Sequence, residues 1–107
     1  PYIDSVAGPM AQAFAAAGVE VTRSLSFGER EEARVARITR ASVEAAAMEV
    51  GACAGVDAVF LSCTNLRTAG VIEAVRDRLG KPVLSSNLAL AWDMARLSGC
   101  ARRTSLA

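Results

Sequence analysis

The residues of this chain best suited to chemistry are Cys63 and the two polar residues that follow it, Thr64 and Asn65. Residues 57–62 form an apolar run typical of a buried strand, and the pattern over 68–79 predicts an amphipathic helix. Cys63 therefore follows the carboxyl end of a strand, which is the edge of an α/β sheet where ligands bind. Backbone N–H groups and the positive end of a helix dipole favour the thiolate form of a cysteine at such a place. We expect Cys63 to act as a nucleophile or as an acid/base group.

The chain contains no histidine, and this excludes several kinds of site. Neither a Ser-His-Asp nor a Cys-His catalytic pair can be built from these residues, and neither can a zinc site with histidine ligands. The three cysteines, Cys53, Cys63 and Cys100, are odd in number and include no CxxC pair. We therefore expect no metal and no disulfide framework, which fits a reducing, cytoplasmic location.

The composition predicts a globular domain without a polyanionic or lipid partner. Apolar residues make up 52% of the chain, and the net charge is only +1, with acidic and basic residues interspersed. This balance gives no electrostatic case for nucleic-acid or membrane binding. The mixed-sign cluster at residues 29–37 predicts a solvated helix face with local ion pairs.

Helical and strand patterns alternate along the chain. The predicted helices cover residues 4–17, 42–54, 68–79 and 88–97, and the predicted strands cover 19–25, 57–62 and 83–86. Such alternation predicts an α/β fold with a parallel sheet and helices on both faces.

Polar residues at the helix starts predict the caps. Asp4 or Ser5 is expected to cap the first helix, and Ser86 or Asn87 the last. Trp92, on the last helix, is expected in the core.

One element of such a fold is missing from the sequence. Residues 1–4 have the character of a loop that follows a strand, and three short strands are few for an independent domain of this type. We expect the natural protein to continue upstream.

Four segments, in this order, carry a family resemblance: PYIDSV at 1–6, VARI at 35–38, DAVFLSCTNLRT at 57–68 and GKPVLSSN at 80–87. They closely resemble the Asp/Glu racemase superfamily. The nearest branch is that of maleate cis-trans isomerase, arylmalonate decarboxylase and the ectoine-utilisation protein EutA. The resemblance covers essentially the whole chain. It implies a flavodoxin-like half of a two-domain fold, with residues 1–107 as the C-terminal half, the N-terminal half absent, and the active site between the halves.

The same resemblance implies roles for individual residues. Cys63 falls on the second catalytic cysteine of the superfamily, whereas the first cysteine would lie upstream. Tyr2 matches the tyrosine whose hydroxyl donates to a substrate carboxylate. The implied substrate-binding residues are Thr64, Asn65, Ser86 and Asn87.

The function implied is that of a cysteine-based isomerase or racemase of the maleate isomerase/EutA type, without metal or organic cofactor. It would act on a small carboxylate, as a homo-oligomer in the full-length protein, and the isolated chain is expected to be inactive. One alternative is an arylmalonate-type decarboxylase that needs Cys63 alone, and another is a non-catalytic fragment.

Two departures bear on this choice. The substrate-binding asparagine of the maleate isomerases falls at or near Glu32 here, and a carboxylate at that place repels a dicarboxylate. The decarboxylases carry Gly-Gly after their cysteine, whereas this chain has Thr64-Asn65, which is closer to the isomerase pattern.

Overall fold

The structure of the chain is a computed structural model that describes residues 2–100. Its elements, in chain order, are α1 (Asp4–Ala16), α2 (Glu32–Val35), α3 (Arg40–Gly51), β1 (Val59–Leu61), α4 (Val71–Leu79), β2 (Val83–Ser85) and α5 (Ser86–Leu97). In these residues no helix is long and apolar enough to cross a bilayer.

The sheet of the described residues consists of β1 and β2, which run parallel with Val59 opposite Val83 and Leu61 opposite Ser85. Parallel neighbours need a crossover, and α4 supplies it. The predicted α/β class, with a parallel sheet and helices on both faces, is confirmed.

One face of this sheet, which we call the closed face, carries the core. Side chains alternate along a strand, so Val59 and Leu61 of β1 and Val83 of β2 point to the same side. There they meet α3 and α4, which supply further fully buried apolar residues: Val43, Ala47, Val71 and Val75. The period-3.6 pattern of α4 correctly predicts this packing.

The opposite face, which we call the open face, is covered less completely. Phe60 of β1 points this way and remains 40% exposed, although its strand was expected to be buried on both faces. Phe14 of α1 meets the Phe60 ring edge-on, with 5.5 Å between the ring centroids. Helix α1 contains no buried residue, so it screens the open face without closing it.

Beyond α1, the expected strand at residues 19–25 is wrong, because this segment forms no strand. Its alternating sequence predicts an extended chain, but a strand also needs a neighbouring edge to pair with. Residues 18–27 and 55–62 instead line a groove of about 590 Å³, together with residues of α1 and α3. The edge of β1 that faces away from β2 likewise has no partner strand in the part of the chain that the structure describes.

Both predicted helix caps are wrong by one or two residues. Ile3 occupies the N-cap of α1 and no side chain caps that helix, whereas Ser85 caps α5 by accepting the Leu88 N–H at 3.1 Å. Ser85 and Ser86 could each cap a helix. Because β2 ends at Ser85 and α5 begins at the next residue, Ser85 is the N-cap. Trp92 is 38% exposed rather than part of the core.

Candidate active site around Cys63

Cys63 occupies a strained backbone position. Within residues 2–100 it is the one non-glycine residue with positive φ, at 133°. Such a conformation costs on the order of 1–3 kcal/mol and persists where the surroundings impose it, which is often at functional sites. The residue is 6% exposed and packs into the closed-face core. The fold therefore spends free energy to hold a buried thiol at the end of β1.

The start of α5 fixes this turn. The Cys63 N–H donates to Ser86 Oγ at 3.1 Å, and the Asn87 side-chain amide donates to the Thr64 carbonyl at 2.9 Å. The helix N-terminus that adjoins the thiol turn is thus that of α5. The expected neighbour, α4, begins only at Val71, because Gly70, with a φ of 79°, occupies its N-cap.

A third contact ties the turn to α2. The Asn65 side-chain amide donates to both the carbonyl and the carboxylate Oε2 of Glu32, each at 2.8 Å. Glu32, singled out in the sequence as a departure from the isomerases, therefore lies directly against the cysteine turn. Its carboxylate is directed at the Asn65 amide and occupies a donor that would otherwise reach a ligand.

Two donors of the turn remain available. Among the described residues, neither the Thr64 N–H nor the Asn65 N–H donates to a protein acceptor, whereas the Leu66 N–H donates to the Cys63 carbonyl at 3.3 Å. Adjacent free backbone N–H groups at a strand end can hold a carboxylate or a developing oxyanion. A thiol and two such donors on one turn are the parts needed to stabilise a carbanion and protonate it.

Tyr2 contacts the core to which Cys63 belongs, but within the described residues it is not hydrogen-bonded to this turn. Its half-buried side chain packs against the core and lines the larger groove, and its carbonyl accepts a hydrogen bond from the Ser26 hydroxyl. No hydrogen bond within residues 2–100 joins Tyr2 to the turn. The structure therefore brings together five of the six site residues predicted from the sequence: Cys63, Thr64, Asn65, Ser86 and Asn87. Their roles toward substrate, and that of Tyr2, stay predictions.

Sequence reasoning missed a second groove beside the turn. It has a volume of about 440 Å³, and its lining includes Arg40, Arg67 and Thr68. Arg67 and Thr68 directly follow the cysteine motif, so their position is a signal that could have found them. Arg40 is distant in sequence and gives no such signal. Cys63 itself lines neither groove.

The other cysteines take no part in this arrangement. The Cys53 thiol donates to the Glu49 carbonyl at 3.3 Å near the end of α3, and Cys100 is exposed. All three cysteines are free.

A parallel α/β layer with a buried cysteine at the end of its strand is the arrangement of the Asp/Glu racemase superfamily, and the predicted superfamily is confirmed. Within it, the family model of arylmalonate decarboxylase matches residues 1–106, and the chain belongs to this family.

Individual relatives agree with the family assignment. Arylmalonate decarboxylase of Bordetella bronchiseptica is 35% identical over 99 residues, which make up 92% of this chain and 41% of that protein. A crystal structure of arylmalonate decarboxylase superposes with a TM-score of 0.84 at 32% identity, over 98% of this chain and 47% of that one. A sulfate-associated point mutant of arylmalonate decarboxylase gives a TM-score of 0.85, also at 32% identity, over 98% and 46%. The chain thus spans less than half the length of these relatives. They support the decarboxylase alternative better than the isomerase or EutA prediction.

Proposed function

We propose that this chain supplies the proton-donating cysteine of a cofactor-independent decarboxylase that acts on a small geminal dicarboxylate of the arylmalonate type. The observation that carries the proposal is the turn after β1, where a buried thiol at positive φ adjoins two free backbone N–H groups. Membership of the arylmalonate decarboxylase family supports this choice of reaction.

The chemistry needs one proton donor and one stabilised anion. A carbon–carbon bond of the substrate breaks, carbon dioxide leaves, and the electron pair stays on the α-carbon, delocalised into the remaining carboxylate. Donors aimed at that carboxylate lower the barrier because they stabilise the charge that develops there. The Cys63 thiol then gives its proton to the α-carbon, and the resulting thiolate regains a proton from water.

The available donors assign the binding roles. We place the retained carboxylate on the N–H groups of Thr64 and Asn65, since the side chains of Asn65 and Asn87 are already hydrogen-bonded to Glu32 and to the Thr64 carbonyl. Ser86 acts indirectly, because its hydroxyl accepts the Cys63 N–H and so orients the thiol turn. Tyr2 is proposed as a further donor to the carboxylate.

Isomerisation remains the competing proposal, and the number of thiols separates the two reactions. A racemase or isomerase of this superfamily needs a second cysteine opposite Cys63. By the superfamily resemblance, that second cysteine would lie upstream of these residues. One thiol is enough for decarboxylation.

The test is turnover of phenylmalonate and of maleate by the longest natural chain that contains these residues, with the 107-residue chain assayed in parallel. We expect the longer chain to release carbon dioxide from phenylmalonate and, in deuterium oxide, to place one deuterium on the α-carbon of the product. The 107-residue chain is expected to be inactive, because a site open to water loses the exclusion that such chemistry needs.

Paired variants decide whether the thiol is responsible. Cys63→Ala should lower kcat about 10²- to 10⁴-fold, the usual contribution of a positioned general acid. Cys53→Ala should leave kcat unchanged. Conversion of maleate to fumarate without any decarboxylation would overturn the proposal, as would full activity of the Cys63→Ala variant.

A further inference from the structure

The second groove lies beside the thiol turn, where the first residues of α3, α4 and α5 meet. Its polar lining consists of Arg40 from α3, Arg67 and Thr68 ahead of α4, and Ser85 and Asn87 at the start of α5. Leu66 separates it from the larger groove, and Cys63 is not part of its wall. It is therefore a distinct site from the thiol itself.

The groove carries two positive charges that the described protein does not compensate. No acidic residue lines it. The four ion pairs within residues 2–100 use Arg34, Arg76, Arg78 and Arg96, so neither Arg40 nor Arg67 has a carboxylate partner there. Two unpaired guanidinium groups facing one concave surface create a local positive potential.

Gly70 fixes the place of one of them. The Arg40 guanidinium lies against this glycine, with Nη1 3.5 Å from the point that a Cβ on Gly70 would occupy. Gly70 is the N-cap of α4, so the guanidinium sits at the positive end of a helix dipole, which is unfavourable for a cation. An anion bound between the two would be attracted both by the guanidinium and by the helix N-terminus.

Thr68 provides the independent sign of a ligand. It is 4% exposed and lines the groove, yet no hydrogen bond within the described chain uses its hydroxyl. No fully buried side-chain oxygen of the described residues lacks a partner, so the Thr68 hydroxyl keeps some exposed surface. Since Thr68 lines the groove, we place its hydroxyl there.

We propose that this groove binds a small oxyanion, held by Arg40 and Arg67 with the Thr68 hydroxyl as a further donor. A carboxylate and a phosphate each present two oxygens that can accept a pair of parallel hydrogen bonds from one guanidinium group. The Ser85 hydroxyl and the Asn87 amide are already used by Leu88 and Thr64, so they shape the wall of the groove. The proposal does not depend on decarboxylation, since Cys63 does not enter it.

The experiment is a titration of the longest natural chain that contains these residues, labelled with ¹⁵N, with inorganic phosphate, acetate and malonate in separate arms at constant ionic strength. We expect saturable shifts at the backbone amides of Thr68, Gly70 and Val71, with a Kd on the order of 1 mM for the preferred anion. The arm with the lowest Kd identifies whether phosphate, a monocarboxylate or a dicarboxylate is the ligand chemistry. Equal shifts with chloride at the same ionic strength would overturn the proposal, because charge screening alone would then explain them.

Variants locate the site. Arg40→Gln and Arg67→Gln should each raise the Kd about tenfold or more, since each removes a charge-assisted donor. Arg40→Lys keeps the charge but loses the paired guanidinium donors, so its Kd should lie between that of Arg40→Gln and that of the parent chain. Arg37→Gln, an exposed arginine outside the groove, should leave the Kd unchanged, and Thr68→Val should raise it a few-fold. Unchanged affinity in both glutamine variants would exclude this groove as the site.

Discussion

The two faces of the sheet differ in how completely the described chain covers them. On the closed face, α3 and α4 bury β1 and β2 completely, and Val75 and Val43 have almost no exposed surface. On the open face, α1 meets β1 mainly through Phe14 and Phe60. The larger groove, bordered by an extended segment without a partner strand, extends from α1 past β1 to Val43 and Ala47 of α3.

The difference teaches where the rigidity of the site comes from. Cys63 belongs to the closed-face core, and its turn is fixed by α5 and by Glu32 of α2. A thiol held in a strained conformation needs such a support, because strain persists only where the surroundings determine it. The support from α1 is weaker: the Ser62 hydroxyl, one residue before the thiol, donates to Met10 Sδ at 3.6 Å, and a thioether is a weak acceptor.

The largest expected difference in stability is between a charge placed on the closed face and a charge placed on the open face. Val75→Asp puts a carboxylate into the fully buried closed face and should lower the free energy of unfolding by more than about 4 kcal/mol, enough to unfold a domain of marginal stability. Val6→Asp, on the exposed surface of α1, should change it by less than about 0.5 kcal/mol. Circular dichroism and urea unfolding measure both. Similar losses in the two variants would refute the contrast between the faces.

A matched pair of glycine substitutions should change stability to different extents on the two faces. A Cβ at Gly51, the last residue of α3, would lie 2.8 Å from Val59 Cγ2 and would also clash with the side chain of Leu79. Gly51→Ala should therefore destabilise the chain by about 1–3 kcal/mol through overpacking. Gly8 in α1 contacts no other element, but it precedes Pro9, whose ring crowds a Cβ on a helical residue at position 8. The gain in helix propensity and this crowding oppose each other, so Gly8→Ala should change the free energy of unfolding by less than about 1 kcal/mol. A urea midpoint that falls as far for Gly8→Ala as for Gly51→Ala would contradict this prediction.

The strain at Cys63 predicts that a glycine variant at this position is more stable than an alanine variant, which is the reverse of the usual order. Both Cys63→Ala and Cys63→Gly remove the buried thiol, but only glycine adopts the positive φ without strain. We expect Cys63→Gly to be more stable than Cys63→Ala by about 1 kcal/mol. At Cys53, which has no positive φ, the order should be the usual one, with alanine equal to or above glycine. Urea unfolding measures the difference in stability between the alanine and glycine variants at each site. Comparing Cys63 with Cys53 cancels the part of this difference that is the same wherever alanine and glycine are exchanged.

The smallest effect is expected at the ion pair between α3 and α4. Arg78 Nη1 lies 2.5 Å from Glu44 Oε1, on the solvent side of the closed face. Exposed pairs contribute little, so Arg78→Ala should lower the free energy of unfolding by less than about 1 kcal/mol, and the loss should shrink further at 0.5 M salt. A loss as large as that of Gly51→Ala would mean that charge, rather than apolar packing, holds α3 to α4.

Much of the fold follows from local patterns, and the exceptions have a common cause. The apolar spacing of Val71 and Val75 predicts which side of α4 is buried, and the run at 57–62 predicts β1. The pattern at 19–25 predicts an extended chain equally well, but pairing depends on an edge elsewhere in space. A sequence pattern predicts the conformation of a segment more reliably than it predicts which strand that segment pairs with.

The site divides in the same way. Its place was predictable, because a cysteine between a strand and a helix is a local signal. The contacts of Ser86 with Cys63 and of Glu32 with Asn65 join residues that are far apart along the chain, and no spacing reveals them. Likewise, Arg40 reaches the groove beside Thr68 only through the packing of α3 against α4.

The direct junction of β2 and α5 has a consequence for how sequences of this kind can vary in length. Ser85 ends the strand and caps the helix, and Ser86 begins the helix and holds the cysteine turn, with no residue between them. One residue inserted there would remove both hydrogen bonds together, whereas the irregular stretch before α2 has room for added residues. We therefore expect natural length variation to collect before α2 and to be absent from the corner at residues 85 and 86.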